Sequence, residues 1–433
     1  MKIIKLAKKS SALKQSVGMM LGNTFASGIA AIALIIFSRF LGPEKFGIFS
    51  IGFSVVLLLT RLSDAGVNIA IQKYIAQNFE SNKSLTNRFI QASYKIKTLA
   101  TLFILITFFL LSNPISTYWL KTNHTSIVQI AIILTIPTVM YEYAAVIHQS
   151  TRKFKHAIFM NIYQAIAKAF LAIGIWALNI KDPFIAFIFY MASPFVGVFY
   201  GIIKFPKWIK FKYTKLDQQV KNKILSIIKF TSIAVAAGAI GDNIDVLIVK
   251  SYLTEYDTGL YSAGSRLAIL ISMLGYSLGT VLNPRVARYK DSKHFYSYTK
   301  KAFLISIIAI LSTAIVVPFT KTLIILTAGR QYIQATSAVQ YLLTAGMVAV
   351  ATTPFVSMFY VLEKPAYFAA SGIVQTISLI IANIILIPQV GILGAGQAKM
   401  IMRIITFLFT LLYANFAIKH THKKSLINIL FSK

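Results

Sequence analysis

Charge-free apolar runs, such as residues 126–141 and 302–317, recur along this chain and are separated by short polar segments. The runs reach about 18–25 residues, the length that crosses a ~30 Å hydrocarbon core at about 1.5 Å per residue. A backbone in lipid must satisfy its own hydrogen bonds, so such runs have to be helices. The expected fold class is therefore all-α and integral to the membrane. Composition agrees. Of 433 residues 57% are hydrophobic, against about 45–50% for a soluble domain. Twelve spans are expected near residues 16–38, 46–62, 96–112, 126–147, 157–179, 183–203, 224–249, 259–282, 302–318, 337–362, 366–387 and 392–417. Residues 76–95 read as a polar, partly helical hairpin. The first run is too long for a signal-peptide core, so it is expected to be a retained helix.

The net charge of +32 would suggest nucleic acid in a soluble protein. Its placement argues otherwise. Of 44 Lys and Arg residues, 31 fall in the termini and alternate loops, including Lys204–Lys223. The intervening loops hold 7, and the remaining 6 lie inside expected helices. Basic residues collect on the cytoplasmic side, so both termini are expected there, in a plasma membrane, and nucleic acid is not a partner. Cysteine is absent, which excludes disulfides, thiol nucleophiles and thiolate metal sites. No metal or other cofactor is expected, and no phosphate-binding loop for ATP hydrolysis is present. An enzyme is not expected.

The chain repeats itself. FLGPEKFGIFS (40–50) aligns with YLTEYDTGLYS (252–262) at an offset of 212, pairing Leu41 with Leu253, Gly47 with Gly259 and Ser50 with Ser262. The Gln164 and Gln375 regions align at 211. Two matches near half the chain length predict six-helix lobes at 1–203 and 224–433, joined by a basic cytoplasmic linker at 204–223. A central cavity is expected between them.

Four segments carry a family resemblance. SRFLGPEKFGIFS (38–50) resembles the junction of helices 1 and 2 in Wzx-type polysaccharide flippases, the O-antigen flippase family. GDNIDVLIVKSYLTEYDTGLYSAGSRL (241–267) is similar to their helix 7–8 junction, LTAGRQYIQA (326–335) to a G-x-x-Y-x-x-A segment before helix 10, and NIILIPQVGILGAGQA (383–398) to their helix 11–12 turn. The resemblance implies the multidrug/oligosaccharidyl-lipid/polysaccharide exporter fold and alternating access. It implies a flippase that moves an undecaprenyl-diphosphate-linked oligosaccharide, or a related precursor, for cell-surface polysaccharide biosynthesis. RLSDAG (61–66) and YSAGSRLAIL (261–270) resemble helices 2 and 8 of the lipid II flippases, which places Arg61 and Arg266. The Arg-Asp pair of those relatives falls near Ala33 and Leu34 here, which argues against lipid II as substrate.

Ionisable groups inside membrane helices are costly and face a cavity or a partner. Arg61, Lys168, Arg266, Lys399 and Arg403 are the candidates for a cationic, substrate-binding lumen. Asp242 and Asp245 are the candidates for gating or coupling. Each has a plainer reading. Snorkelling accounts for Arg61 and for Lys229. Hydrogen bonding between helices accounts for Lys168 with Asn161 and Gln164. Lobe packing accounts for Lys399 and Arg403. A structural ion pair accounts for Arg266 with Asp242, which lie at matched depths on consecutive helices.

The expected partners are a lipid-linked anionic glycan, the bilayer, and H+ or Na+ as coupling ion, with the protein acting as a monomer. One alternative is a cation-coupled multidrug antiporter, which would need an acidic lumen. Another is a membrane-embedded glycan polymerase or ligase, which would need a large outer loop. The topology is testable because the chain lacks cysteine. A single Cys introduced between 204 and 223 should react with an impermeant maleimide only after the membrane is opened. Labelling of intact cells would reverse the orientation.

Overall fold

The computed structural model describes residues 11–211, 217–286, 292–359, 362, 366–422 and 426–431. Residues 212–216 of the expected linker, the loop positions 287–291 and 363–365, and the side chain of Asp242 lie outside the described residues. Among those described, regular structure is entirely helical. Nine helices are long and apolar enough to span a membrane, or ten if the bent pair 218–229 and 231–241 counts as one span. The protein is thus a multi-pass integral membrane protein. The helices pack into two compact units, Met1–Ala239 and Ile240–Lys433. The division falls within helix Gln218–Tyr252.

The first unit opens with α1 (Ser11–Asp64), 54 residues long. One crossing needs about 20. Gly42, at φ 78 and ψ 170, breaks the helix. That backbone region is essentially restricted to glycine, and Pro43 restarts the helix without needing a hydrogen-bond acceptor for its nitrogen. The connection expected over several residues therefore shrinks to one. Next come α2 (Val67–Asn78) and α3 (Lys83–Leu110). Asn82 caps α3 by accepting from Leu85 N at 2.8 Å. The helix then runs on into the span, so it begins at Lys83 rather than at the expected 96.

α4 (Thr125–Ser150) and α5 (Phe154–Ala177) follow. The expected helix at 183–203 is divided into α6 (Pro183–Ala192) and α7 (Pro194–Ile203), because Pro194 has no N–H to continue the ladder. Asp182 caps α6, accepting from Phe184 N at 2.7 Å and Ile185 N at 3.1 Å. Gly197 and Gly201 let α7 lie close to α5. A Cβ at Gly197 would meet Met160 O at 2.9 Å, and one at Gly201 would meet Met160 Sδ at 2.7 Å. The core is aromatic. Phe49 meets Phe37, Phe187 and Tyr190 with ring centroids 5.6–5.9 Å apart.

The second unit takes the C-terminal part of α8 (Gln218–Tyr252), then α9 (Glu255–Val286), α10 (Ser292–Leu311), α11 (Thr320–Thr327), α12 (Thr336–Met358), α13 (Ala366–Val390), α14 (Ile392–His422) and α15 (Leu426–Phe431). At the α8–α9 turn Thr254 and Asp257 form a reciprocal capping box. Asp257 N donates to Thr254 Oγ1 at 3.2 Å and Thr254 N donates to Asp257 Oδ2 at 3.3 Å. At the 212-residue offset Thr254 is the counterpart of Gly42, so the repeated motif marks the same helix–break–helix in each half. The G-x-x-Y-x-x-A segment is a short 3-10 helix, Arg330–Ala335. About three residues per turn bring Tyr332 and Ala335 to one side, and both are buried.

Gly42→Ala should destabilise the detergent-solubilised protein by roughly 1–3 kcal/mol, since Ala is strained at this φ and ψ. Gly28→Ala is the control. Gly28 is helical and a Cβ there meets nothing within 4 Å, so it should be neutral or stabilising by up to about 1 kcal/mol. Thermal midpoints of the two variants decide the matter. Equal midpoints would mean that the break at Gly42 needs no glycine.

Candidate functional site: buried ion pairs and a polar cavity

Two of the candidate residues meet in the second unit. Lys399 Nζ on α14 donates to Asp245 Oδ2 on α8 at 3.0 Å. Tyr261 Oη on α9 donates to the same oxygen at 2.9 Å, and Val246 N donates to Asp245 Oδ1 at 3.0 Å. Lys399 also reaches Gly241 O at 3.4 Å. Both charged side chains are nearly buried, 15% exposed for Lys399 and 6% for Asp245. The carboxylate is fully engaged, and the cation that engages it belongs to the protein. The expected lumen cation Lys399 and the expected coupling acid Asp245 are therefore parts of one triad with Tyr261.

Arg403 lies one helical turn from Lys399 and lines a cavity of about 390 Å3 formed by α9, α12, α13 and α14. The rest of the wall mixes Ser272, Thr352, Thr353, Ser357, Ser371, Thr406 and Gln375 with the apolar Val356, Tyr367 and Phe368. Among the described residues no carboxylate lines it. One guanidinium among hydroxyls and an amide can bind an anion through a bidentate fork and orient neighbouring hydroxyl groups. Arg266 is partly buried on α9. Its expected partner Asp242 falls outside the described side chains, so Asp245, three residues on, is the acid of α8 whose contacts are defined.

In the first unit Lys168 Nζ sits 4.6 Å from the centroid of the Tyr190 ring, a cation–π contact between α5 and α6. Asn161 Nδ2 donates to Asn23 Oδ1 at 3.2 Å, so the polar face of α5 is joined to α1. Arg61 is 58% exposed and approaches Glu142 Oε1 at 3.8 Å.

A neighbouring pair was not legible from the sequence. Lys97 Nζ donates to Asp64 Oδ1 at 2.8 Å and to Asn68 Oδ1 at 2.9 Å, with both charged side chains less than a tenth exposed. Lys97 reads as a loop lysine only while α3 is thought to start at 96. A start at Lys83 puts it well inside a helix. The signal available was Asp64, an acid at the end of a membrane helix that needs a partner.

A sequence profile for the polysaccharide biosynthesis protein family matches residues 12–290. The chain belongs to that family. An uncharacterised membrane protein of Methanocaldococcus jannaschii is 24% identical over 278 residues, 60% of this chain and 54% of the relative. The match thus spans about half the length of that protein. A probable low-salt glycan biosynthesis flippase of Haloferax volcanii is 18% identical over 390 residues, 89% of this chain and 79% of the relative. Among solved structures, a lipid II flippase in an inward closed conformation superposes with a TM-score of 0.74 at 16% identity, covering 96% of this chain and 90% of that one. An inward-facing multidrug transporter superposes with a TM-score of 0.71 at 14% identity, covering 91% and 96%. The fold is shared with both transporter types.

Breaking a buried ion pair from one side leaves an unpaired charge, at about 3–5 kcal/mol. Asp245→Leu and Lys399→Leu should each destabilise the protein by that order. The double variant should recover most of the loss, because two apolar side chains replace a satisfied pair. Thermal unfolding of the four proteins gives the coupling. Additive losses would mean that the pair is not coupled in the folded protein.

Proposed function

We propose that this protein is a flippase that carries an anionic lipid-linked oligosaccharide, or a related polysaccharide precursor, across the plasma membrane by alternating access. The observation that carries this reading is the cavity in which Arg403 stands among hydroxyls and Gln375, with no carboxylate among the described residues of its wall. Sugar hydroxyls match the Ser and Thr lining, and a phosphate matches the guanidinium. Membership of a polysaccharide biosynthesis family and the glycan flippase relative support the same substrate class. A multidrug antiporter for cations, whose fold is also similar, would want a carboxylate, and none lines the cavity among the described residues.

In this reading Arg403 grips the phosphate with Arg266 adding positive potential in the second unit, while Arg61 and Lys168 are the substrate-binding cations of the first. Asp245 holds Lys399 in reserve. A phosphate that drew Lys399 away, or a proton that neutralised Asp245, would release the α8–α14 link, and this is the gating role assigned to the triad. An anion moving outward also gains about 2.3 kcal/mol per charge for each 100 mV of inside-negative potential. The protein acts as a monomer, with both termini cytoplasmic.

Mass spectrometry of lipid-linked glycans after deletion of the gene tests the proposal. One lipid-linked species should accumulate, confined to the cytoplasmic leaflet. Complementation with Arg403→Ala should fail at normal protein level, and Arg403→Lys should restore only part, since a point charge replaces a bidentate fork. An unchanged glycan pool, together with new sensitivity to cationic drugs, would transfer the protein to the antiporter class.

A further inference from the structure

A second cavity of about 390 Å3 lies wholly within the first unit, among α3, α4 and α7. Its floor is buried and mainly apolar, with Val139, Ala144 and Val198 beside Tyr143, Thr101 and the ion-paired Lys97. Its rim is exposed and equally apolar, with Leu102, Met140 and Ile202. These rim residues continue broad exposed faces that also carry Phe103, Ile106 and Phe199. On membrane-spanning helices such faces meet lipid, so the slot opens to hydrocarbon rather than to water.

One end of the slot is closed by the segment after α7, whose Phe205 and Phe211 both line it. That segment is pinned to α3. Gln91 Nε2 donates to Lys210 O at 2.8 Å, Lys210 N donates to Asn87 Oδ1 at 2.9 Å, and the Tyr94 and Phe211 rings stand 5.5 Å apart. It also carries Lys204, Lys207 and Lys210, all exposed. A mainly apolar slot whose closing segment carries three exposed lysines is complementary to an anionic lipid, with its chain inside and its phosphate at the mouth.

We propose that this slot holds the hydrocarbon chain of a polyprenyl phosphate-type lipid, with the phosphate at Lys204, Lys207 and Lys210. Ligand cavities run from about 300 to 1,000 Å3. This one is at the low end, with room for one chain segment rather than the paired chains of a phospholipid. The inference rests on the reading that the substrate is lipid-linked, and it assigns the carrier chain a docking place on the protein.

The test uses the purified full-length protein and a long-chain polyprenyl phosphate bearing a diazirine on its chain. A phosphatidylglycerol with the same group on an acyl chain is the comparison. Labelling by the polyprenyl probe should map to peptides containing Val139, Ala144 and Val198. Ala144→Trp should abolish it, and so should Met140→Trp at the exposed rim, where added bulk does not disturb the core. Lys204, Lys207 and Lys210 changed together to Gln should weaken labelling without altering the thermal midpoint. Adducts that map elsewhere, or that persist in both Trp variants, would overturn the slot. Equal labelling by the phosphatidylglycerol would overturn its commitment to a single-chain lipid. If the slot is unlabelled while the deletion strain accumulates a lipid-linked glycan, the slot falls and the transporter reading stands. If the slot is labelled while the glycan pool is unchanged, the transporter reading falls and the slot stands.

Discussion

Within hydrocarbon a polar group has no water to turn to, and each one that the chain carries into the membrane must find its partner inside the protein. The helix breaks follow from this. At Gly42, Asn82, Asp182 and Thr254 the chain leaves one helix and starts another with the exposed amides either capped or, at Pro43, removed. The hydroxyls follow it too. Thr135, Ser150 and Thr151 on and beside α4 each donate back to a carbonyl four residues earlier. The charges follow it most strictly, because an unpaired ion is the costliest group of all. Lys97 finds Asp64 and Lys399 finds Asp245.

The two halves answer this demand differently at equivalent places. At the 212-residue offset Phe49 corresponds to Tyr261, and Ala33 corresponds to Asp245. Phe49 is completely buried within an aromatic cluster, whereas Tyr261, equally buried, spends its hydroxyl on Asp245. One oxygen on the ring and one carboxylate on the neighbouring helix turn an apolar helix junction into one that holds a charge. At this junction the first unit relies on aromatic packing, whereas the second adds the Asp245–Lys399 ion pair. The aligned positions thus keep one junction apolar and make the other ionic.

Much of this was legible in the sequence, since the strongest signals were hydrophobic length and glycine or proline punctuation. Those follow directly from the bilayer and from backbone sterics, and they located the helix break near Gly42, whereas the segment around Tyr332 was marked only by family resemblance, with no 3-10 helix expected there. Helix starts were less legible. Lys83, Arg88 and Lys95 put the first half of α3 into the polar, partly helical hairpin expected at 76–95 rather than into the span, because hydropathy cannot tell a polar helix from a polar connection. The burial of Lys97 was hidden by that error. The Asp245–Lys399 pair was hidden for another reason. Its members are 154 residues apart, and only the packing of α8 against α14 brings them together. Sequence depth can match partners on consecutive helices, which is why Arg266 and Asp242 looked like the natural pair, but it cannot rank partners contributed by distant ones.

The distribution of paired acids also bears on what can be carried. Asp64, Glu142 and Asp245 each lie in or at the end of a membrane helix, and each has a basic side chain within 4 Å. Such acids are already neutralised, and a cationic ligand would have to displace a tethered ammonium or guanidinium to reach one. Tethering makes that hard, because the internal cation is present at high effective concentration and loses little freedom on pairing. Lys168 and Arg403 have no carboxylate partner among the described contacts, one resting on an aromatic ring and the other facing hydroxyls. On the proposed reading, a phosphate could approach either cation without breaking an internal pair, whereas a cationic ligand would meet repulsion first and competition afterwards.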